Sequence, residues 1–231
     1  MKLTHPLFSR PICFRENRVP VLVVEEPATF RRMALDLIGQ SEGRDGEFVL
    51  SRNDRCLNCG DSLRVFSDYA HLENVDRRIQ TKALSALLRA AQEVLPEEAL
   101  RLSRQLQEYL SKLALLSDAP VAYEQSENLP SLLKAMDFRV DLSGLTPCEA
   151  LLEQLLLAQR FLKEPCIVLI HARTYFSAEE MRQLYASALY HKLHLMLLEA
   201  RAPEPPLPDE ELRLFDRDLC ELTLDSPDEI L

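Results

Sequence analysis

The acids at the end of the first long apolar run are the first residues that could do chemistry. Val19–Val24 (VPVLVV) leads directly into Glu25-Glu26-Pro27. In a parallel α/β sheet this loop is where a glycine-rich turn cradles phosphates with bare backbone amides, followed by Lys and Ser or Thr. Here the place holds two negative charges and a residue without an N–H. The five glycines, Gly39, Gly43, Gly46, Gly60 and Gly144, all lie elsewhere. Nucleotide hydrolysis by the phosphate-loop route is therefore not expected. Glu199 ends a later apolar run as a magnesium-binding acid would, but without the loop it reads as a solvated strand end.

Cys56-Leu57-Asn58-Cys59-Gly60 is half of a zinc knuckle. A structural zinc site needs a second pair, and neither another CxxC nor a close histidine pair follows; His71 stands alone. Zinc at Cys56/Cys59 is not expected, and the pair reads as two reduced thiols on a turn. A redox pair would open a helix after a strand, whereas this one runs into Gly60 and Asp61. His191 and His194 flank a helix-to-strand junction, which suits one capping and one packed imidazole better than a metal pair. Acids gather at Asp118, Glu124, Glu127, Asp137 and Asp141. Such carboxylates, in a loop between two subdomains, can hold Ca²⁺, which accepts irregular oxygen cages; they can equally be plain solvated charges. Nucleophile-elbow, HExxH and EF-hand patterns do not occur.

The elements that must position these groups follow from periodicity. Val19–Val24 is a valine-rich run of the kind buried on both faces of a sheet. Residues 29–38 then read as a helix, with weaker strands at 47–51 and 63–66. After Tyr69 the pattern turns helical. Ile79, Ala83, Leu87, Ala90 and Val94 mark one helix, and Leu102, Leu106, Tyr109, Leu113 and Leu116 a second, joined at Pro96 into a hairpin. A short helix over 128–136 and a short strand over 138–140 follow. Thr146, Pro147 and Glu149 open a helix whose leucines cover more than one face, as in a helix buried on two sides, either inside the domain or at a subunit contact. Cys166–Ile170, a helix capped by Ser177, and residues 193–198 form a βαβ unit with parallel strands. A last strand is expected at 219–224. The fold class is α/β with a mostly parallel sheet: a discontinuous head, 1–68 and 150–231, encloses an α-helical leg subdomain, 69–149.

A chain of 231 residues fits one large domain or one domain with an insertion. No segment approaches the roughly eighteen apolar residues of a membrane span, and the first residues carry charges and prolines where a signal peptide needs an apolar run. A cytoplasmic address is expected. Six cysteines are few for the length, and Cys166 and Cys220 lie within apolar runs, as reduced buried thiols do. Net charge is −10, with 37 acids against 27 bases, which on average opposes binding to phosphate backbones. The average hides a concentration of Arg52, Arg55, Arg64, Arg77, Arg78 and Lys82 in one short stretch, so a local positive surface remains available.

The opening VLVVEE running into PATF, residues 160–201 (RFLKEPCIVLIHARTYFSAEEMRQLYASALYHKLHLMLLEAR) and the acidic-then-apolar piece 209–224 together resemble the CRISPR type II-A spacer-acquisition (adaptation) subunit, the Csn-two family. The resemblance spans most of the chain and is specific at its two ends. It implies a head like a P-loop NTPase core that has lost its phosphate loop, with a helical leg. It also implies a homotetrameric ring around double-stranded DNA with a preference for free ends, and calcium supporting the assembly. Action would be alongside the CRISPR integrase and effector nuclease, in the cytoplasm, without catalysis by this chain. On that reading Arg52, Arg55, Arg64, Arg77, Arg78, Lys82, Lys134 and Arg139 are the DNA-binding candidates, touching phosphates without reading sequence. Asp118, Glu124, Glu127 and Asp141 are the calcium candidates. The Cys56/Cys59 pair, and bases that are mostly Arg, depart from the family pattern; both base types neutralise phosphate. Two other readings stand beside it. One is a degenerate P-loop-type regulatory protein that binds a protein partner and not DNA. The other is a cryptic nuclease or nucleotide hydrolase using Glu25, Glu26 and Glu199 around a metal.

Overall fold

The apolar runs become the centre of a sheet in the computed structural model, which describes residues 1–123, 129–162 and 165–224. The chain opens with β1 (Lys2–Thr4), β2 (Ile12–Cys13), β3 (Val19–Val24), α1 (Pro27–Ser41), β4 (Val49–Arg52), β5 (Arg55–Cys56), α2 (Cys59–Ser62) and β6 (Leu63–Phe66). Helices α3 (Arg77–Val94), α4 (Pro96–Leu115), α5 (Leu129–Ala135) and α6 (Pro147–Phe161) follow. The remainder is β7 (Cys166–Ile170), α7 (Ala172–Tyr175), α8 (Ala178–Tyr190), β8 (His194–Glu199), β9 (Glu210–Phe215) and β10 (Glu221–Leu224). Two compact units result: Met1–Asn74 with Leu142–Leu231, and Val75–Asp141.

In the first unit one sheet runs in the order β10-β9-β3-β8-β7-β6. Every pairing is parallel except β10 on β9. Strand residues alternate between its faces, as the period of two requires. Val19, Val21, Val23, Ile167, Leu169, Leu195 and Leu197 pack with Leu151 and Leu155 of α6 and with Met181, Leu184 and Tyr185 of α8. Leu22, Val24, Val168, Ile170, Met196 and Leu198 pack on the other side with Met33 and Leu37 of α1. That second core also takes in Leu3 and Leu50 from a small antiparallel sheet, β2-β1-β4-β5, and Phe48 just before β4. Coverage on both faces is why the central strands read as unbroken apolar runs.

Local sequence explains the helix ends. Thr146 and Ser177 each build a capping box, with Glu149 and Glu180 returning the bond, and so start α6 and α8 where they do. The small sheet is clamped to α1 by Gln40, whose side chain donates to Phe48 O at 2.8 Å and accepts from Phe48 N at 3.0 Å. Gly46 permits that approach: a Cβ there would meet Asp36 Oδ1 at 2.1 Å.

Four sequence expectations change. Residues 138–140 form no strand, because Asp137 takes a left-handed φ of 51° and ends the helical turn with Phe138 N donating to Leu133 O. Strand β9, unforeseen, lies beside β3; its Glu-Glu-Leu-Arg-Leu-Phe alternation suits a half-covered strand. Within the chain helix α6 buries one face, with Leu152, Leu156 and Leu157 only half-buried, so the domain itself does not enclose it on two sides. Cys220 is exposed, with the charged Glu221 directly after it. Within the 69–149 stretch that composition sets apart, Tyr69, Leu72 and Cys148 pack in the first unit's core.

In the second unit Leu95 (φ −125°, ψ 42°) breaks α3 from α4, and Pro96 occupies the first position of α4, where its missing N–H costs nothing. Both helices are amphipathic, yet α3 buries only Ile79 and α4 buries no residue. Leu102, Leu106, Tyr109 and Leu113 on α4 are between 41% and 62% exposed. No helix among the described residues is long and apolar enough to cross a membrane.

Candidate functional site

The carboxyl end of a parallel sheet is where open α/β folds bind ligands, so the residues following β3, β7 and β8 come first. After β3, Glu26 is the N-cap of α1, its carboxylate accepting from Ala28 N at 2.9 Å and Thr29 N at 2.6 Å. These amides hold its pKa below the usual glutamate range. They are also the donors a phosphate would take at a helix N-terminus. After β8, Glu199 is 2% exposed, and its Oε1 accepts from Arg173 N at 2.9 Å. Burial pushes its pKa up to about 7, against the Arg173 hydrogen bond and with the Glu210 charge adding. After β7, His171 takes a left-handed φ of 59°, lies tilted against Phe30 with ring centres 4.7 Å apart, and has Nδ1 3.8 Å from Glu199 Oε2.

Behind this edge lies a buried polar network. Tyr185 Oη donates to Glu210 Oε1 at 2.8 Å, Arg173 Nε lies 3.2 Å from the same oxygen, and Leu207 N donates to Glu210 Oε2 at 2.8 Å. Arg173 also donates to Pro205 O at 2.8 Å, so the pair fastens the β8–β9 loop to α7. His171, Arg173, Glu199 and Arg201 line an open crevice of about 700 Å³ here. A carboxyl titrating near neutrality in a crevice is a proton-exchanging group, but Glu199 spends one oxygen on the backbone.

The basic candidates divide between the units. Arg52 and Arg55 pair across the two-residue turn joining β4 to β5, where Asn53 and Asp54 both have positive φ. Arg55 is exposed and Arg52 half-buried. Arg64, read as a phosphate donor, is 6% exposed and donates to Leu63 O at 2.7 Å, so its guanidinium is committed to the chain's own backbone. Arg77, Arg78, Lys82, Lys134 and Arg139 are exposed in the second unit, Arg139 pairing with Asp137 at 2.5 Å.

On α3 the bases are ordered. Arg78, Lys82, Ser85 and Arg89 follow the i, i+4, i+7, i+11 spacing that places residues on one helix face, and all are exposed. Ile79, Ala83, Ala86 and Ala90 make a separate apolar stripe at the same spacing. The basic stripe runs about 16 Å along the helix. Arg89 is absent from the sequence candidates; its heptad distance from Lys82 is the signal that could have found it.

Of the acidic candidates, Asp118 and Asp141 are exposed, and Glu124 and Glu127 lie outside the described residues. Among the described residues no three His, Cys, Asp or Glu side chains converge as metal ligands, so Asp118 and Asp141 do not make a cation cage with described neighbours. Cys56 is exposed on β5, while Cys59 opens the four-residue α2, its thiol pKa raised by burial, which is opposite to a reactive thiol. His191 caps α8, and His194 packs edge-on to Phe14 with centres 5.7 Å apart.

The fold has a counterpart among known structures. The chain is similar to the crystal structure of Stu0660 of Streptococcus thermophilus, with a TM-score of 0.63 at 11% identity, covering 97% of this chain and 76% of that one. At such identity the likeness speaks for the fold alone. No curated protein matches the chain. A family model described as CRISPR-associated protein (Cas_Csn2) matches residues 40–219, which include the helical unit and most of the parallel strands. By that match this chain belongs to the CRISPR-associated Cas_Csn2 family.

Proposed function

We propose that this CRISPR-associated chain is a double-stranded-DNA-binding subunit for spacer acquisition, holding free DNA ends in a homotetrameric ring and performing no catalysis of its own. The observation that carries the proposal is the basic stripe Arg78, Lys82 and Arg89 on a helix that buries only Ile79. A charge-ordered exposed helix in a chain of net charge −10 is a local surface for phosphates. Arg52, Arg55, Arg77, Lys134 and Arg139 supply further exposed or half-buried bases. The non-catalytic reading is supported by Glu26 and Glu199, the acids a hydrolase would direct at a metal, which accept from backbone amides. The head then corresponds to a P-loop NTPase core in which the Glu26 carboxylate takes the phosphate's place on α1.

In this proposal the CRISPR integrase and effector nuclease of the same system are partners, and calcium supports ring assembly. A calcium set would draw on Glu124 and Glu127 together with Asp118 and Asp141. Light scattering with and without chelator tests that part: a mass that drops on chelation supports it, and one unmoved by chelator removes calcium from the proposal. Competition between a linear duplex and the same duplex as a closed circle tests the function itself. Preference for the linear form supports end binding; absence of binding to either sinks it.

A second reading has its own observation. The exposed apolar stripe of Leu102, Leu106, Tyr109 and Leu113 on α4 suits a protein surface, as in a P-loop-derived regulator that binds a protein partner and not DNA. It predicts a heteromeric complex and no affinity for duplex.

A further inference from the structure

Two buried carboxylates share one guanidinium behind the crevice at the carboxyl end of the sheet. Arg173 and Glu210 form the close pair, at 3.2 Å, with side chains 9% and 0% exposed. Glu210 is fully engaged, since Tyr185 Oη and Leu207 N also donate to its two oxygens, each at 2.8 Å. Glu199, whose side chain is 3% exposed, is not. Its Oε1 accepts from Arg173 N at 2.9 Å, and that is the only hydrogen bond the carboxyl receives among the described residues. The Ala172 amide lies near enough to favour the charged form without completing such a bond. Oε2 has His171 Nδ1 at 3.8 Å, beyond hydrogen-bond reach.

No neighbour supplies the missing cation. Burial lowers the His171 pKa and leaves the ring neutral at pH 7. Tyr69 and Tyr185, the other titratable groups facing Glu199, are phenols that burial keeps protonated. On the rim, the exposed Arg201 and Glu204 oppose each other in sign. An ionised Glu199 is thus one positive charge short. Burial first, with the Glu210 charge adding, accordingly pushes its pKa up to about 7. The crevice of about 700 Å³ in front of it is walled by Phe176, Ala200, Ala202 and Pro203.

We propose that this crevice binds a primary ammonium on an aliphatic stem, with the nitrogen on Glu199 Oε2 and the stem against Phe176, Ala200, Ala202 and Pro203. An ammonium is a compact charge with three donors, so it can bond Oε2 while Oε1 stays on the Arg173 amide. A guanidinium fits less well, because its planar fork matches both oxygens of a carboxylate and one is taken. Small-ligand pockets combine an apolar wall with a few convergent polar groups, as this one does. The proposal does not depend on duplex binding by α3. A free polyamine and the lysine side chain of a protein present the same chemistry, so the test separates them.

The test is calorimetric titration of the full chain at pH 6 and pH 8 with cadaverine, with Nα-acetyl-lysine methylamide and with the uncharged 1-pentanol. Saturable binding of either amine, and none of pentanol, supports the site. Binding of cadaverine alone assigns it to a free polyamine, and binding of the lysine derivative alone to a protein lysine. Affinity should rise about tenfold from pH 6 to pH 8, because the carboxyl must ionise while the amine stays charged throughout. The ¹³C resonance of the Glu199 carboxyl should titrate at lower pH when the bound amine is present. Glu199→Gln, with folding checked by its melting curve, should lose at least about tenfold in affinity, as expected for one charge-assisted hydrogen bond. The proposal is overturned if neither amine binds saturably or if pentanol binds as well as they do. An affinity independent of pH, an unmoved Glu199 resonance, or parent affinity in a folded Glu199→Gln chain overturns it as well.

Discussion

Glu26 Oε2 accepts the Thr29 amide at 2.6 Å, so the first turn of α1 holds an anion that belongs to the chain itself. Its Oε1 takes Ala28 N in the same way. The amides that would receive a phosphate after β3 are thereby engaged, and the helix keeps a fixed start.

Replacing Glu26 with Ala should lower the melting temperature at neutral pH, because two amides lose their acceptor. These bonds depress the folded pKa, so the contribution is complete above the unfolded value and disappears as pH falls through the folded one. Melting curves of both chains should therefore converge in acid. Equal melting at neutral pH would show that the cap contributes nothing.

Glu199 has the opposite sign. Its folded pKa, about 7, lies above the unfolded value of 4.5, so the folded state holds the proton longer and loses stability as pH rises between the two. Glu199→Gln should match the parent near pH 4 and exceed it by about 1–3 kcal/mol above pH 8. Urea unfolding at both pH values measures this; a gap independent of pH would contradict it.

Tyr185→Phe removes the hydroxyl that donates to Glu210 Oε1 at 2.8 Å and leaves that buried carboxylate short of a donor. The expected loss is about 1–3 kcal/mol by chemical denaturation. No change would mean that Arg173 and the Leu207 amide satisfy Glu210 by themselves.

No residue of α4 is buried, so Leu106→Glu with Leu113→Glu should leave helix content by circular dichroism intact. If the stripe is covered by another copy of the chain, the solution mass falls. An unchanged mass would assign assembly to another surface.

How far the sequence reveals this depends on how each element is covered. Strands β3, β7 and β8 are enclosed on both faces and announce themselves as apolar runs. The capping boxes at Thr146 and Ser177 are local chemistry and equally legible. By contrast β1, β2 and β5 have two or three residues each, too few to show alternation, and they exist through pairings with partners distant in sequence or across a tight turn. Glu26 is visible in the sequence as an acid in the phosphate position, but its role as the cap requires the backbone of α1. Arg64 looks like its neighbouring arginines until strand β6 places it inside. Tyr185, Arg173 and Glu210 come from separate elements, and no local spacing joins them.

The most direct measurement is the salt dependence of linear-duplex affinity for the parent chain and for Arg78→Glu, Lys82→Glu, Arg89→Glu combined. All three side chains are exposed, so the variant should fold. If the α3 stripe binds phosphates, affinity falls and the slope of log K against log salt shrinks by nearly three, at about 0.9 for each phosphate no longer neutralised. A folded variant with the parent's affinity and slope would contradict duplex binding through α3.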